Sequence, residues 1–369
     1  KELLKTQKRG KNKIEKEVFD QFYNSLQPRI SRGYEKDNFI LDEDYLNFIH
    51  HSFQRIYDSN EIIKDKKFKF YLEKENLPNA SSAGHHLYFI NSGLFSIAEN
   101  DEQFLAVICH EIAHDYLKHV EKSLIQKAEF RKDFNREMKS IKRRDFLKLI
   151  KSQDEVLRKK YDLAAQSRAE EIEADSLGFI FYSQLGFNPN EYYKVLMNLN
   201  DWQEKEENKS IQDSIYRYLF DLPELDFDEN WLEIDYNDPF QGLTFTEHID
   251  KDSISTHPNL KDRIEWLQNK FNIQDEMKSS SASDGFLELK NKTSTDFFDI
   301  FYTNQEYGIA LYELLYRIKE NSEQIDKNKH LGFIFTQLYE SKMNYTFNKY
   351  IPQYDRNSDD LDFQKFVNF

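Results

Sequence analysis

The stretch AVICHEIAHDYLKHV, residues 106–120, holds three of the chain's ten histidines, and His110 and His114 bracket Glu111 in the pattern His-Glu-x-x-His. Residues i and i+4 of a helix lie on one face, so the two imidazoles can reach a single ion. Glu111 is rotated from His110 by about 100°, which puts its carboxylate beside such an ion rather than among its ligands. The spacing indicates two metal ligands with a general base between them.

The neighbouring residues predict one helix from Asn100 to about Lys122. Asn100 or Asp101 suits its N-cap. Apolar residues recur on one side of it: Phe104, Val107, Ile108, Ile112 and Leu117. Cys109 is the only cysteine, so no intrachain disulfide can form, and we expect it to be a small buried hydrophobe. The alternative for the two histidines is a surface position on an amphipathic helix.

A catalytic zinc takes three protein ligands and keeps one open position. His119 is the nearest further candidate in the sequence. It follows His110 by nine residues, which on a continuous helix is about 180° away. We therefore expect His119 to pack or hydrogen-bond on another face.

A better third ligand lies in SRAEEIEADSLGF, residues 167–179, where Glu171 and Asp175 are spaced i, i+4 and Arg168 precedes Glu171 by one turn. A ligand carboxylate needs neighbours that fix its rotamer, and a ligand histidine needs an acceptor for its other N–H. Glu171 as the ligand and Asp175 as the acceptor for the histidine N–H meet these two requirements. The alternative is an exposed charged helix face, which we expect for the nearby Glu170 and Glu173.

The composition excludes several classes of protein. The net charge of -15 argues against general nucleic-acid binding, which needs basic patches, and the basic stretch 131–144 reads as one charged helix face. No apolar run has the length of an integral membrane span. We expect a soluble protein of an extracytoplasmic compartment of a bacterium, periplasmic or secreted, after removal of a signal peptide; a cytoplasmic location is the alternative.

The rest of the chain reads as mostly helical. Two short strands are predicted at 67–76 and 86–94, with a turn or loop at 78–84 between them. The acidic stretch 218–250 suggests a loop, either a solvated surface or a flap that favours basic substrates. Further predicted features are helices over 12–65, 123–184, 300–318 and 328–349, and a linker at 279–285.

Several motifs together resemble one family. His-Glu-x-x-His is followed by Ser-Arg-x-x-Glu-x-x-Ala-Asp. Three longer segments match the same family in their order and spacing: PNASSAGHHLYFINSGL (78–94), DEQFLAVICHEIAHDYLKH (101–119) and STHPNLKDRIEWL (255–267). Over about residues 40–270 the chain resembles the zinc metallopeptidases that include HtpX, the CAAX prenyl protease and the BepA-type proteases. The lack of predicted membrane helices matches the soluble branch of that family.

The resemblance implies a fold of class α+β, predominantly α: a zincin-like (gluzincin) domain with a small sheet and a helical C-terminal extension. We predict the metallopeptidase domain at 1–275, including N-terminal helices at 1–65. A helical, possibly repeat-like region is predicted at 276–369, outside the resemblance.

The resemblance also implies the site. It makes His110, His114 and Glu171 the ligands of one Zn2+ per chain, Glu111 the base and Asp175 and Arg168 their supports. His257 and Arg263 would lie near the cleft, where they could stabilise an oxyanion or gate the zinc; a buried structural turn is the alternative. Substrate would add as an extended strand to an edge strand, predicted as His86, Leu87, Tyr88, Phe89, Ile90 and Asn91.

The implied function is that of a zinc-dependent endopeptidase, in which Glu111 helps a water attack the peptide carbonyl and passes the proton to the leaving amine. The expected partner is a protein or peptide substrate. The alternative is a gated, chaperone-like quality-control or assembly factor that holds a protein on its C-terminal helices and rarely opens the zinc site.

Overall fold

The computed structural model describes residues 12–140, 166–207, 224, 226–228, 260–273, 279–319, 326–347 and 350. These residues are mostly helical and include one small sheet, so the predicted class, α+β and predominantly α, is confirmed. Among them, no helix has the length and apolar character that crossing a bilayer would take. His257 and most of the acidic stretch 218–250 lie outside the described residues.

The chain divides into two compact units, Lys1–Trp202 with Ile249–Ser294 and Gln203–His248 with Thr295–Phe369. The first unit begins with helices α1 (Lys13–Glu35) and α2 (Glu43–Ser59), then strands β1 (Lys69–Glu73), β2 (Ala80–Ser82) and β3 (Leu87–Asn91). It continues with α3 (Leu94–Ile97), α4 (Asp101–Tyr116), α5 (His119–Ser140), α6 (166–183), α7 (Pro189–Glu207), α8 (Leu260–Phe271) and α9 (Asp284–Thr295). The predicted domain boundary after residue 275 falls outside the described residues and stays a prediction.

The sheet has the order β1-β3-β2, with β1 parallel and β2 antiparallel to β3. The predicted edge strand, His86–Asn91, is therefore wrong: β3 is the central strand and is paired on both sides. Its residues Leu87–Ile90 are all buried, and a continuous apolar run of this kind is typical of a strand covered on both faces. The short polar strand β2, an edge, lies in the segment that was predicted to be a loop.

Helix α4 is the central helix of the first unit. Its N-cap is Asn100, whose side chain accepts a hydrogen bond from the Gln103 N–H at 3.0 Å. Most of its residues are buried, and Cys109 is fully buried, as predicted. Helix α4 is thus buried on most of its sides, as expected of a helix enclosed by the core.

Helix α4 is shorter than predicted, because it ends at Tyr116 and a second helix, α5, begins at His119. Between them, Lys118 has a left-handed backbone with φ 58°. No glycine or proline marks this break, which is why sequence periodicity predicted one continuous helix. The break redirects the chain immediately after His114.

The predicted linker, 279–285, is held against the first unit by several hydrogen bonds. The Ser280 N–H donates to Glu191 Oε1 and its hydroxyl donates to Glu102 Oε2, each at 2.9 Å. Helix α9 follows, and it buries Phe286 and Leu289 in the core of this unit. This segment is therefore an integral part of the first unit.

The second unit contains α10 (Phe297–Asn304), α11 (Tyr307–Lys319) and α12 (Lys327–Met343). Its apolar core joins all three helices through Phe298, Leu314 and Ile334, among others. The first predicted helix, 300–318, is broken in the structure at Gln305, which has a left-handed backbone with φ 61°.

Candidate metal centre

Helices α4 and α6 approach each other closely at the predicted site. Gly178 of α6 makes this possible: a Cβ added there would lie 2.9 Å from His110 Cα and 2.6 Å from the Tyr192 hydroxyl oxygen. Such contacts are too short for any side chain, so the packing of the two helices requires glycine at this position. Sequence analysis did not identify Gly178 as important, although a lone glycine inside a helical pattern was a signal.

The predicted ligands come together at this contact. His110 Nε2 lies 3.0 Å from His114 Nε2 and 3.4 Å from Glu171 Oε2, and His114 Nε2 lies 3.5 Å from Glu171 Oε1. A tetrahedral zinc with bonds of about 2.0–2.2 Å holds its ligand atoms about 3.3–3.6 Å apart. The two histidine–glutamate separations fall in this range and the histidine–histidine separation is somewhat shorter, and the three residues form a group that could hold a metal.

Glu111 is buried beside this group. Its Oε2 accepts a hydrogen bond from the backbone N–H of Ser82 in β2 at 2.8 Å. Burial, aided by the charge of Glu171, raises the pKa of Glu111 to about 7, against the opposing charge of His110. The carboxylate can therefore hold or release a proton near neutral pH. No sequence pattern indicates Ser82, because any residue except proline offers the same backbone N–H.

Asp175 and Arg263 form a buried ion pair behind the ligands. Arg263 donates from Nε to Asp175 Oδ2 and from Nη2 to Oδ1, both at 2.7 Å, and its Nη1 lies 3.1 Å from Glu171 Oε2. Burial raises the pKa of Asp175, but Arg263 and His110 outweigh it and hold that pKa at about 2. Arg263 therefore lies at the predicted centre with its guanidinium bound to two carboxylates, an arrangement that orients Glu171. The predicted oxyanion or gating role of Arg263 stays a prediction.

Asp175 also lies against His110, with Oδ1 at 2.9 Å from His110 Nδ1. The distance is that of an ion pair, but the alignment is poor, so Nδ1 has no hydrogen-bond partner among the described residues. Burial lowers the pKa of His110, yet the carboxylates of Asp175 and Glu171 outweigh burial and raise it to about 10. Burial and the neighbouring His110 lower the pKa of His114 to about 3. The metal-free site therefore holds a proton on His110.

His119 lies closer to the site than predicted. Its Nδ1 is 2.8 Å from Nδ1 of His114, and its Nε2 is 3.2 Å from Oε2 of Glu173. The expectation of a different face is wrong, because it assumed a continuous helix, whereas the break at Lys118 turns His119 back toward His114. Glu173, expected to be only a surface residue, is the partner of His119.

Asp115 fastens the β2–β3 turn to the end of α4. Its Oδ1 accepts from the His86 N–H at 3.1 Å, and its Oδ2 lies 2.5 Å from His86 Nδ1 and 3.3 Å from the Tyr88 hydroxyl. The turn is sharp, since Gly84, His85 and His86 all have positive φ. These contacts fix β2, and hence the Ser82 N–H, relative to the helix that carries His110 and His114.

The roles predicted for two further site residues, His257 and Arg168, stay predictions. His257 lies outside the described residues. Arg168 is half-buried on α6, one turn before Glu171, and its predicted support of that ligand stays a prediction.

The chain matches the protein-family model described as Peptidase family M48 over residues 47–270. This range includes the helices that carry the three candidate ligands, Glu111, Asp175 and Arg263. A search among curated proteins gives no match.

Zinc added to the metal-free protein at pH 7 should release about one proton per ion, because the proton on His110 must leave before its Nε2 can bind. The raised pKa also gives the sign of the pH dependence: binding should weaken about tenfold for each unit that the pH falls below the pKa of His110. Calorimetric titrations in buffers of different ionisation enthalpy measure the proton count. Zinc binding without proton release would contradict the assignment.

Proposed function

The chain belongs to peptidase family M48, a family of metallopeptidases, and from that premise we propose that it is a zinc-dependent endopeptidase that cleaves protein substrates. The observation that supports this best is the grouping of His110, His114 and Glu171, whose ligand atoms lie within 4.8 Å of one another, with the carboxylate of Glu111 beside them. Three protein ligands and one open corner are the pattern of catalytic zinc, as opposed to structural zinc. We propose one Zn2+ per chain.

A bound zinc would supply a Lewis acid that activates water and polarises the peptide carbonyl. The protein supplies the proton transfers. In our proposal, Glu111 takes a proton from the attacking water at Oε1, while Oε2 stays anchored to the Ser82 N–H, and then delivers the proton to the leaving amine. Burial raises the pKa of Glu111 in the metal-free protein to about 7, and an acid–base catalyst works best when its pKa is near the working pH.

The remaining charged groups orient the ligands. Arg263 binds the Asp175 carboxylate through two nitrogens and contacts Glu171 through the third. We propose that it limits the rotation of Glu171, because a carboxylate held by a planar guanidinium has few alternative positions. Asp175 in turn lies against His110, so one ion pair supports ligands from two helices.

The outer edge of β2 is the best candidate for substrate binding. The Ala83 N–H donates to Leu87 O in β3 at 2.8 Å, so residue 82, one position earlier, points its N–H away from β3 by the alternation of an antiparallel pair. That outward N–H donates to Glu111, and this contact supports a position of the outer edge of β2 next to the proposed base. No described strand pairs with this edge, and we propose that the substrate adds there as an extended strand.

A photoreactive peptide substrate should therefore label residues 80–82. Labelling confined to β1, the opposite edge of the sheet, would contradict this placement. Mass spectrometry of the labelled protein makes the measurement.

Glu111→Gln should lower kcat/KM on an unfolded protein substrate by about 10²- to 10⁴-fold, because the base is lost while the shape is kept. Zinc content should stay at the wild-type level, because Glu111 is not a ligand. Glu170→Gln is the matched control: Glu170 is the neighbour of ligand Glu171, and its substitution should leave both activity and zinc unchanged. Activity that survives in Glu111→Gln, or an inactive zinc-loaded wild type, would refute the proposal.

Ser82→Pro should lower kcat by about tenfold to hundredfold, the cost of losing one hydrogen bond to a charged group. The strand should survive, because proline is tolerated where an edge N–H points away from the sheet. Ser82→Ala, which keeps the N–H, should retain most of the activity. Steady-state kinetics and thermal unfolding of both variants test this, and equal kcat values for the two would contradict the role of the Ser82 N–H.

A further inference from the structure

We propose that His119 and Glu173 are positioning residues that hold the imidazole of His114 in the tautomer able to bind the metal. The inference rests on the proposed function, since it concerns how one ligand of that metal site is prepared. It is carried by two contacts, His119 Nδ1 to His114 Nδ1 at 2.8 Å and His119 Nε2 to Glu173 Oε2 at 3.2 Å.

The chain break after α4 creates this arrangement. His119 follows His114 by five residues, which on an unbroken helix would turn it about 140° away. Instead, α4 ends at Tyr116, Lys118 takes a left-handed backbone, and His119 begins α5. A left-handed lysine is unfavourable by roughly 1 kcal/mol, so the surrounding packing must hold this turn in place.

The positions of the protons follow from the contacts. A neutral imidazole has one N–H and one acceptor nitrogen. His114 can bind a metal through Nε2 only if its proton is on Nδ1, and that N–H then points at Nδ1 of His119. His119 must accept there, so its own proton is on Nε2, where it faces the carboxylate of Glu173. The chain of hydrogen bonds therefore has one direction, from His114 to Glu173.

The opposite direction is incompatible with the metal. If His119 carried its proton on Nδ1 and donated to His114, the His114 proton would be on Nε2, and the ligand lone pair would be lost. The carboxylate of Glu173 favours the productive direction, because it can only accept a hydrogen bond from His119 Nε2. Lys122 also contacts this carboxylate, with its Nζ at 3.4 Å from the same oxygen.

The two ligand histidines are thus supported differently. His110 lies directly against a fully buried carboxylate, Asp175. His114 has the neutral imidazole of His119 as its neighbour. The nearest carboxylate on that side, Glu173, contacts His119 rather than His114, and its side chain is 55% exposed. His119 itself is buried, which shields the hydrogen bond to His114 from water.

The experiment compares the zinc affinity of the whole protein and its variants by competition with a chelator. His119→Leu removes the acceptor and should weaken zinc binding about 10- to 100-fold, the usual cost of losing the partner of a ligand. His119→Asn, whose side-chain oxygen can accept in place of Nδ1, should recover most of that affinity. His51→Leu, at an exposed histidine of α2, should leave it unchanged.

The tautomer provides a readout that a merely structural role would not change. In zinc-loaded protein labelled with 15N-histidine, NMR should show His114 protonated at Nδ1 and His119 protonated at Nε2. His119 protonated at Nδ1 in the wild type would overturn the proposal even if the His119→Leu variant failed to fold. Equal zinc affinities of folded His119→Leu and wild type would also overturn it.

Failure of the inference and failure of the proposed function give different results. If wild type binds no zinc, or if Glu171→Gln binds zinc as tightly as wild type, the metal site itself is wrong. If wild type binds zinc, Glu171→Gln loses it and His119→Leu keeps it, only the positioning role is wrong.

Discussion

The buried ion pair of Arg263 and Asp175 is the interaction on which the candidate metal centre depends. It joins α8 to α6 and, through the contact of Asp175 with His110, also to α4. Two charges in a dry interior are tolerated only when each is paired and hydrogen-bonded. The pair can therefore form only when these three helices are in register, and that register also brings the ligands together.

The close approach of α4 and α6 is the second constraint. Gly178 lets the backbones meet at His110, and Glu171 lies two turns before it on the same helix. A bulkier residue at 178 would push α6 away and move Glu171 out of reach of the two histidines. Packing and the proposed coordination thus constrain the same few residues of α6.

The sheet contributes a backbone group rather than a side chain. The Ser82 N–H holds Glu111, and Asp115 at the end of α4 holds the turn that leads from β2 to β3. Glu111, the proposed base, is consequently anchored to the strand that we propose for substrate binding. A substrate strand on this edge would lie in a defined relation to the carboxylate, as catalysis through a positioned base requires.

The sequence by itself determined the local geometry of the site. Helical periodicity placed His110 and His114 on one face, rotated Glu111 away from them, and paired Glu171 with Asp175, because the spacing of side chains on a helix depends only on the backbone. The tertiary structure decided which elements meet. It placed β3 at the centre of the sheet, ended α4 before His119 and brought Arg263 into hydrogen bonds with Asp175. These outcomes depend on packing between residues far apart in the chain, and on a left-handed lysine that no residue pattern marks.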